Sequence, residues 1–143
     1  MTVFESLRAW LLTCPLLEGQ RLNANYLGAE PLEFALFEVP MAEQVAYYLD
    51  GTSIRQKAVA IAALQDYSPD LLEQLAASGF WSELEEWIEE QNDLGELPDL
   101  GERRTADSVK VSASHYVLYT SAQTARYQIQ LLLTYEQEPK EQE

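Results

Sequence analysis

Two runs in the C-terminal third constrain this chain more than anything else in it. Val109, Val111, Ala113, His115, Val117 and Tyr119 fall on one parity of the first run; Ala125, Tyr127, Ile129, Leu131, Leu133 and Tyr135 fall on one parity of the second. Successive side chains of a strand point to opposite faces, so alternation this long predicts two strands, each with one apolar face. Thr120 to Thr124 joins them as a hairpin loop.

Upstream, Phe4, Leu7, Trp10 and Leu11 recur at helical spacing over Phe4 to Leu12, and Pro15 ends that helix. Arg21 to Gly28 and Leu32 to Val39 read as two strands joined at the Gly28-Ala29-Glu30-Pro31 turn, a hairpin. Val45 to Leu49, then Asp50-Gly51, then Ser53 to Gln65 predicts a second hairpin, since an Asp-Gly pair between apolar runs is a strong turn signal. Ser68-Pro69-Asp70 opens a helix with Leu71, Leu72, Leu75 and Ala76 as its stripe and Gly79 as its stop. Ser82-Glu83-Leu84-Glu85 has capping-box spacing and starts another, with Leu84, Trp87 and Ile88 inward. Asn92 to Arg104, rich in Gly, Pro and Asp, reads as a loop. The expectation is an α+β fold: a mainly antiparallel sheet of four to six strands flanked by an N-terminal helix and a central helix pair. With 143 residues the chain is expected to form one domain: a first helix within 1–14, a core over 20–136 and a flexible acidic tail over 137–143.

Charge narrows the function. Nine Lys and Arg stand against 24 Asp and Glu, a net −15, with acids clustered at Glu83 to Glu90 and Glu136 to Glu143. Such a surface repels phosphate backbones, so direct nucleic-acid binding is not expected. Solubility alone accounts for much of it; the functional reading is an acidic wall or a face for a basic partner. No run reaches the ~18 apolar residues of a membrane span. The first residues carry no basic lead and no small-residue cleavage site, so a cytoplasmic origin is expected.

One cysteine, Cys14, and one histidine, His115, leave little for chemistry. A nucleophile pair would need the two side by side, yet Cys14 sits before a proline at a helix end and His115 inside a strand. Two such residues cannot make a zinc site, Asp93, Asp99 and Asp107 lack calcium-loop spacing, and there is no glycine-rich phosphate loop. Glu89 and Glu90 are better read as a solvated helix face than as catalytic carboxylates. Trp81 and Trp87, beside Phe80, are read as pinning the helix pair to the sheet, with a partner patch as the alternative. Neither an enzyme nor a cofactor is expected.

Several strings stand together in order: Asn25-Tyr26-Leu27-Gly28, Glu30-Pro31, Val39-Pro40, Asp50-Gly51, Ser53-Ile54-Arg55-Gln56, Ser78-Gly79-Phe80, Glu86 through Asn92, Gly95, Leu97-Pro98, and Ala125-Arg126-Tyr127-Gln128-Ile129-Gln130. Across residues 20 to 136 the chain resembles minor capsid proteins of phage and prophage tail modules, a family similar to the tail terminators of long-tailed phages. The resemblance implies a small subunit, monomeric in solution or not, that joins copies of itself in a hexameric ring on the tail tube. The ring stops tube polymerisation and offers the head-completion protein a joining surface. The location implied is the neck of the virion, after synthesis in the bacterial host cytoplasm. No active-site residues come with it.

The site residues are inferred from chemistry instead. A ring needs a heterologous contact, which a free sheet edge and scattered cations among many acids could supply. Arg55 and Lys57, on one face of a strand, and Arg126, on the polar face of the last strand, are the expected subunit contacts. Asn92, Asp93, Arg103 and Arg104, in the long loop, are the expected contacts to tube or head. An acidic lumen would let DNA pass. The competing readings are another minor capsid, neck or tail-completion protein, and an acidic binding module or DNA mimic.

Overall fold

The computed structural model describes residues 2–17, 22–24, 34–42, 44–66, 71–120 and 124–139. In chain order they form α1 (Val3–Leu11), a 3-10 turn (Pro15–Leu17), β1 (Leu22–Ala24), β2 (Phe34–Val39), β3 (Gln44–Tyr47), β4 (Ser53–Asp66), α2 (Leu71–Leu94), β5 (Arg104–Thr120) and β6 (Thr124–Gln137). The fold is α+β. The six strands make one mixed sheet of order β1-β2-β4-β6-β5, with β3 also paired to β4.

The alternating runs form the predicted antiparallel pair, from Arg104↔Gln137 to Thr120↔Ala125. On β6 the alternation holds from Ile129 onward: Ile129, Leu131, Leu133 and Tyr135 are buried on one face. On β5 it does not. The register shifts between Ala106 and Ser108, Val111 and Ala113, Ala113 and Tyr116, and Val117 and Tyr119. Each shift opposes unequal numbers of residues and changes the register parity of the residues after it. Val109, Val111 and Val117 therefore stand opposite Leu133, Leu131 and Tyr127, whereas Ala113 and Tyr119 stand opposite Gln130 and Arg126.

β4 lies at the centre, antiparallel to β6 along its whole length and to β2 over Ala58–Ala63. The expected first hairpin is corrected: β1 runs parallel to β2, Leu22 facing Phe34, and consecutive hairpin strands cannot be parallel. A local turn signal cannot distinguish a hairpin from a connection that returns the chain to its starting end. That turn itself, residues 28–31, lies outside the described residues, as do the Ser68-Pro69-Asp70 helix start, the 121–123 loop and the 140–143 end.

Thr2 caps the start of α1: its hydroxyl accepts from the Glu5 amide at 3.1 Å and donates to the Glu5 carboxylate at 3.2 Å. The expected central helix pair is one helix, α2, running through Gly79. A mid-helix glycine costs about 1 kcal/mol relative to alanine, which packing overrides here. Phe80 and Trp81 lie 5.5 and 6.2 Å from the Phe34 ring on β2 and hold the helix straight through the position that would have ended it. Its true end is Gly95, at φ 73. There the Gly95 and Glu96 amides donate back to the Asn92 and Gln91 carbonyls at 3.1 and 2.9 Å, the Schellman pattern.

The core is the face of β4 and β6 that carries Val59, Ile61, Leu131 and Leu133, covered by Leu7 and Leu11 of α1 and by Trp81, Leu84 and Ile88 of α2. Each such side chain, fully buried, contributes about 1.5–3 kcal/mol. Trp10 packs on Trp87, the rings tilted by 46° with centroids 5.0 Å apart, and its indole N–H donates to the Glu96 carbonyl at 2.9 Å, tying α1 to the end of α2. Trp81 and Trp87 are thus packing residues. The opposite sheet face carries Phe37, Ala58, Ala60, Ala62, Arg126 and Leu132.

Candidate interaction surface

One end of the sheet is a row of register partners: Tyr47 on β3, Ser53 on β4, Gln137 on β6 and Arg104 on β5. The β3–β4 hairpin stands at one side of this row. Its loop is Leu49-Asp50-Gly51, closed by the Gly51 amide on the Tyr48 carbonyl at 3.0 Å and by the Tyr48 amide on the Thr52 carbonyl at 2.8 Å. Gly51 takes φ 94, the left-handed residue that a three-residue hairpin loop requires. The Thr52 amide donates to the Asp50 carboxylate at 2.9 Å, and that bond holds the Asp50 pKa below its usual 3.8.

This hydrogen-bonded turn presents apolar side chains to solvent. Leu49 is 109% exposed and Tyr47 67%, with Val45 and Tyr48 exposed beside them. In the sequence the run looked like any short apolar strand. One signal was available: Val45, Tyr47, Tyr48 and Leu49 occupy both parities, so an edge strand this short could not bury them all.

Next along the row is a cleft of about 470 Å³ under the start of α1. Arg55, Lys57 and Arg104 line it with Glu38, Tyr135 and the first residues of the helix. Arg55 and Lys57 share a parity with Val59 and Ile61 on β4, so the apolar face becomes cationic at this end. Lys57 pairs with Glu38 at 3.2 Å, and the Arg55 Nε–H donates to the Ser53 hydroxyl at 3.0 Å.

Thus Arg55 and Lys57 come together as expected, and the structure adds Arg104, which the sequence had assigned to a loop. Arg126 is not with them. It sits on the opposite face, in register with Leu64, nine residues along β6 from Tyr135, the partner of Arg55; nine residues of strand span about 30 Å. Its guanidinium lies over the Phe37 ring at 5.0 Å and donates to the Gln128 side chain at 3.2 Å. Asn92 and Asp93 are corrected as well: they belong to the last turn of α2, because the helix runs on to its Gly95 stop, and the loop starts there. Arg103 ends that loop at φ 67, in the left-handed region, immediately before β5.

Cys14 is fully buried, and burial raises its thiol pKa from 9.0. Among the described residues no group of three or more His, Cys, Asp or Glu could hold a metal ion, and no helix is long and apolar enough to cross a membrane. No protein-family model and no curated protein matches the chain.

Proposed function

We propose that this protein is a tail terminator of a long-tailed phage: a structural subunit that joins copies of itself in a ring on the end of the tail tube, halts tube growth and gives the head-completion protein its joining surface. The observation that carries the reading is the exposed apolar hairpin tip in a chain of net charge −15. Copies so acidic repel one another at a distance, so contact between them has to be won at short range by apolar burial. Val45, Tyr47, Tyr48 and Leu49 provide it without destabilising the free subunit. Burying what these four side chains still expose returns roughly 4–8 kcal/mol. Docking two free proteins costs about 4–15 kcal/mol. One tip therefore leaves a free copy near balance, and a tube end that holds several copies at once tips that balance toward the ring.

The test is negative-stain microscopy of particles made without the protein. Overlong tails, or tails detached from heads, are the expected result. Tails of normal length on empty or leaky heads would assign the protein to the head side of the neck instead. Particles of normal length that infect would end both readings.

A further inference from the structure

We infer that copies join edge to edge: β3 of one copy adds as a strand to the outer edge of β5 in the next, over residues 104–106, so that the sheet runs on from subunit to subunit. The inference rests on the ring reading and specifies where the copies meet.

At the end of the sheet that carries the hairpin tip, the strand order is β3-β4-β6-β5. β3 and β5 are its two sides there, and among the described strands neither has a neighbour beyond it. They stand at one level. Tyr47, Ser53, Gln137 and Arg104 are successive register partners, and so are Ala46, Ile54, Glu136 and Thr105. Each strand in this order is antiparallel to the next. β3 of a following copy, laid beside β5 in the same orientation, is therefore antiparallel to it as well.

The peptide groups of the two edges are in phase. The Tyr48 amide donates to the Thr52 carbonyl within the hairpin, so by alternation the N–H and C=O of Tyr47 turn away from β4. The Arg103 carbonyl accepts from the Glu138 amide at 2.7 Å on the β6 side, so Thr105 faces β6 and residues 104 and 106 face outward. At a common level Tyr47 meets Arg104 as a hydrogen-bonded pair and Ala46 meets Thr105 as a non-hydrogen-bonded one. Both pairs come before the register shifts at Val45 and Asp107. The lengths agree too. Asn92 already takes the outward N–H and C=O of Val109, so an added strand has to stop short of that residue. β3 does: its far end, Gln44, is level with Arg55, two residues before Lys57, which is level with Val109. β3 also has no charged residue and no proline, the usual guards of an exposed edge. Main-chain pairing gives such a contact its affinity whatever the net charge. The two edges differ, so the contact is heterologous, and its repetition closes a ring with neither edge left open. Two β3 edges set together would instead make a closed pair and leave both β5 edges bare.

A disulfide across the joint tests it. Inside one subunit Ala46 and Thr105 are three strand spacings apart, about 14 Å, too far for a disulfide. In the joint they are neighbours, with Cα atoms about 4.5 Å apart. Both are exposed, and the native Cys14 is buried. Ala46→Cys with Thr105→Cys, assembled on tube ends and treated with a mild oxidant, should run as a ladder of covalent multimers on a non-reducing gel. The two single variants, mixed one to one, should stop at a dimer containing one of each. If the double variant misfolds by circular dichroism, that mixture carries the test. Ala46→Cys with Ser112→Cys, the latter exposed on β5 beyond Asn92, should stay monomeric. Wild-type chains that assemble while the Ala46→Cys, Thr105→Cys chain and the mixture stay monomeric overturn the inference and leave the ring standing. Dimers of Ala46→Cys alone overturn it in favour of a two-fold pair of β3 strands, and an equal ladder from the Ser112→Cys chain overturns the register. A wild-type chain that joins neither itself nor the ends of tail tubes removes the ring and the inference together.

Discussion

Asn92 of α2 holds Val109 of β5 through both ends of its side-chain amide. The carbonyl oxygen accepts from the Val109 N–H at 2.8 Å, and the amide nitrogen donates to the Val109 carbonyl and, at 2.7 Å, to the Ile88 carbonyl. Among the described strands β5 is an edge of the sheet, with no strand paired to its outer side. Asn92 satisfies the Val109 N–H and C=O there as a neighbouring strand would, and fixes the helix to the sheet at that point. Asn92→Ala removes three hydrogen bonds and should cost about 1–3 kcal/mol in chemical denaturation. Asn92→Asp should cost no less at neutral pH, because a carboxylate accepts from Val109 but faces two carbonyls with nothing to donate.

Gly51 is the second place where the chain has one option. A Cβ built there would lie 2.9 Å from the Cβ of Pro139, on a backbone already at φ +94. Gly51→Ala therefore meets both strain and a clash, and should destabilise by about 2 kcal/mol, lowering the melting temperature by roughly 5–10 °C. Adding Pro139→Gly should restore the part due to the clash and leave the part due to φ. Full recovery would mean that the backbone conformation costs nothing.

Gly79 is the opposite case. It is exposed inside α2, and a Cβ added there meets nothing within 4 Å. Gly79→Ala should stabilise the protein by about 0.5–1 kcal/mol, the helix-propensity difference. A loss of stability would indicate that α2 breaks at this residue, as its sequence suggested.

That contrast explains what the sequence could and could not disclose. The strictly alternating run of β6 and the Asp-Gly turn depend on neighbours in the chain, and both were legible. Gly79 as a helix stop was also a sound local inference, but Phe34, 45 residues earlier, packs on Phe80 and overrides it. The parallel pairing of β1 and β2 and the bulges of β5 depend equally on partners distant in sequence. The candidate site was half legible for the same reason. Arg55 and Lys57 are two apart on one strand and could be paired by parity. Arg104 reaches them only because β6 lies between β4 and β5, a strand order that no single segment encodes.

Cys14 should behave as a packed apolar side chain. Burial raises its pKa, the Leu16 and Leu17 amides offsetting part of the effect. The folded state thus holds the thiol proton more tightly than the unfolded state. The stability this contributes is complete below the ordinary pKa of 9.0 and is lost as pH rises through the folded value. A thiol reagent at pH 8 should label denatured protein fast and native protein slowly. In Cys14→Ala the alkaline fall in melting temperature should be shallower, even though the variant starts lower for want of the sulfur.

Leu49 separates folding from assembly most cleanly. It is 109% exposed, so it contributes almost nothing to the free subunit, whereas Leu36, fully buried on β2, belongs to the core. Leu36→Ala should cost about 2–5 kcal/mol. Tyr48→Ser with Leu49→Ser should leave stability within about 0.5 kcal/mol of wild type. Yet the same pair of changes removes much of the apolar area available to a neighbouring copy or a tube end. The expected outcome is a folded, monodisperse protein that no longer self-associates or caps tubes under the electron microscope. Normal capping by this variant would show that the exposed tip is not what holds the assembly, and the functional reading built on it would fail with the fold intact.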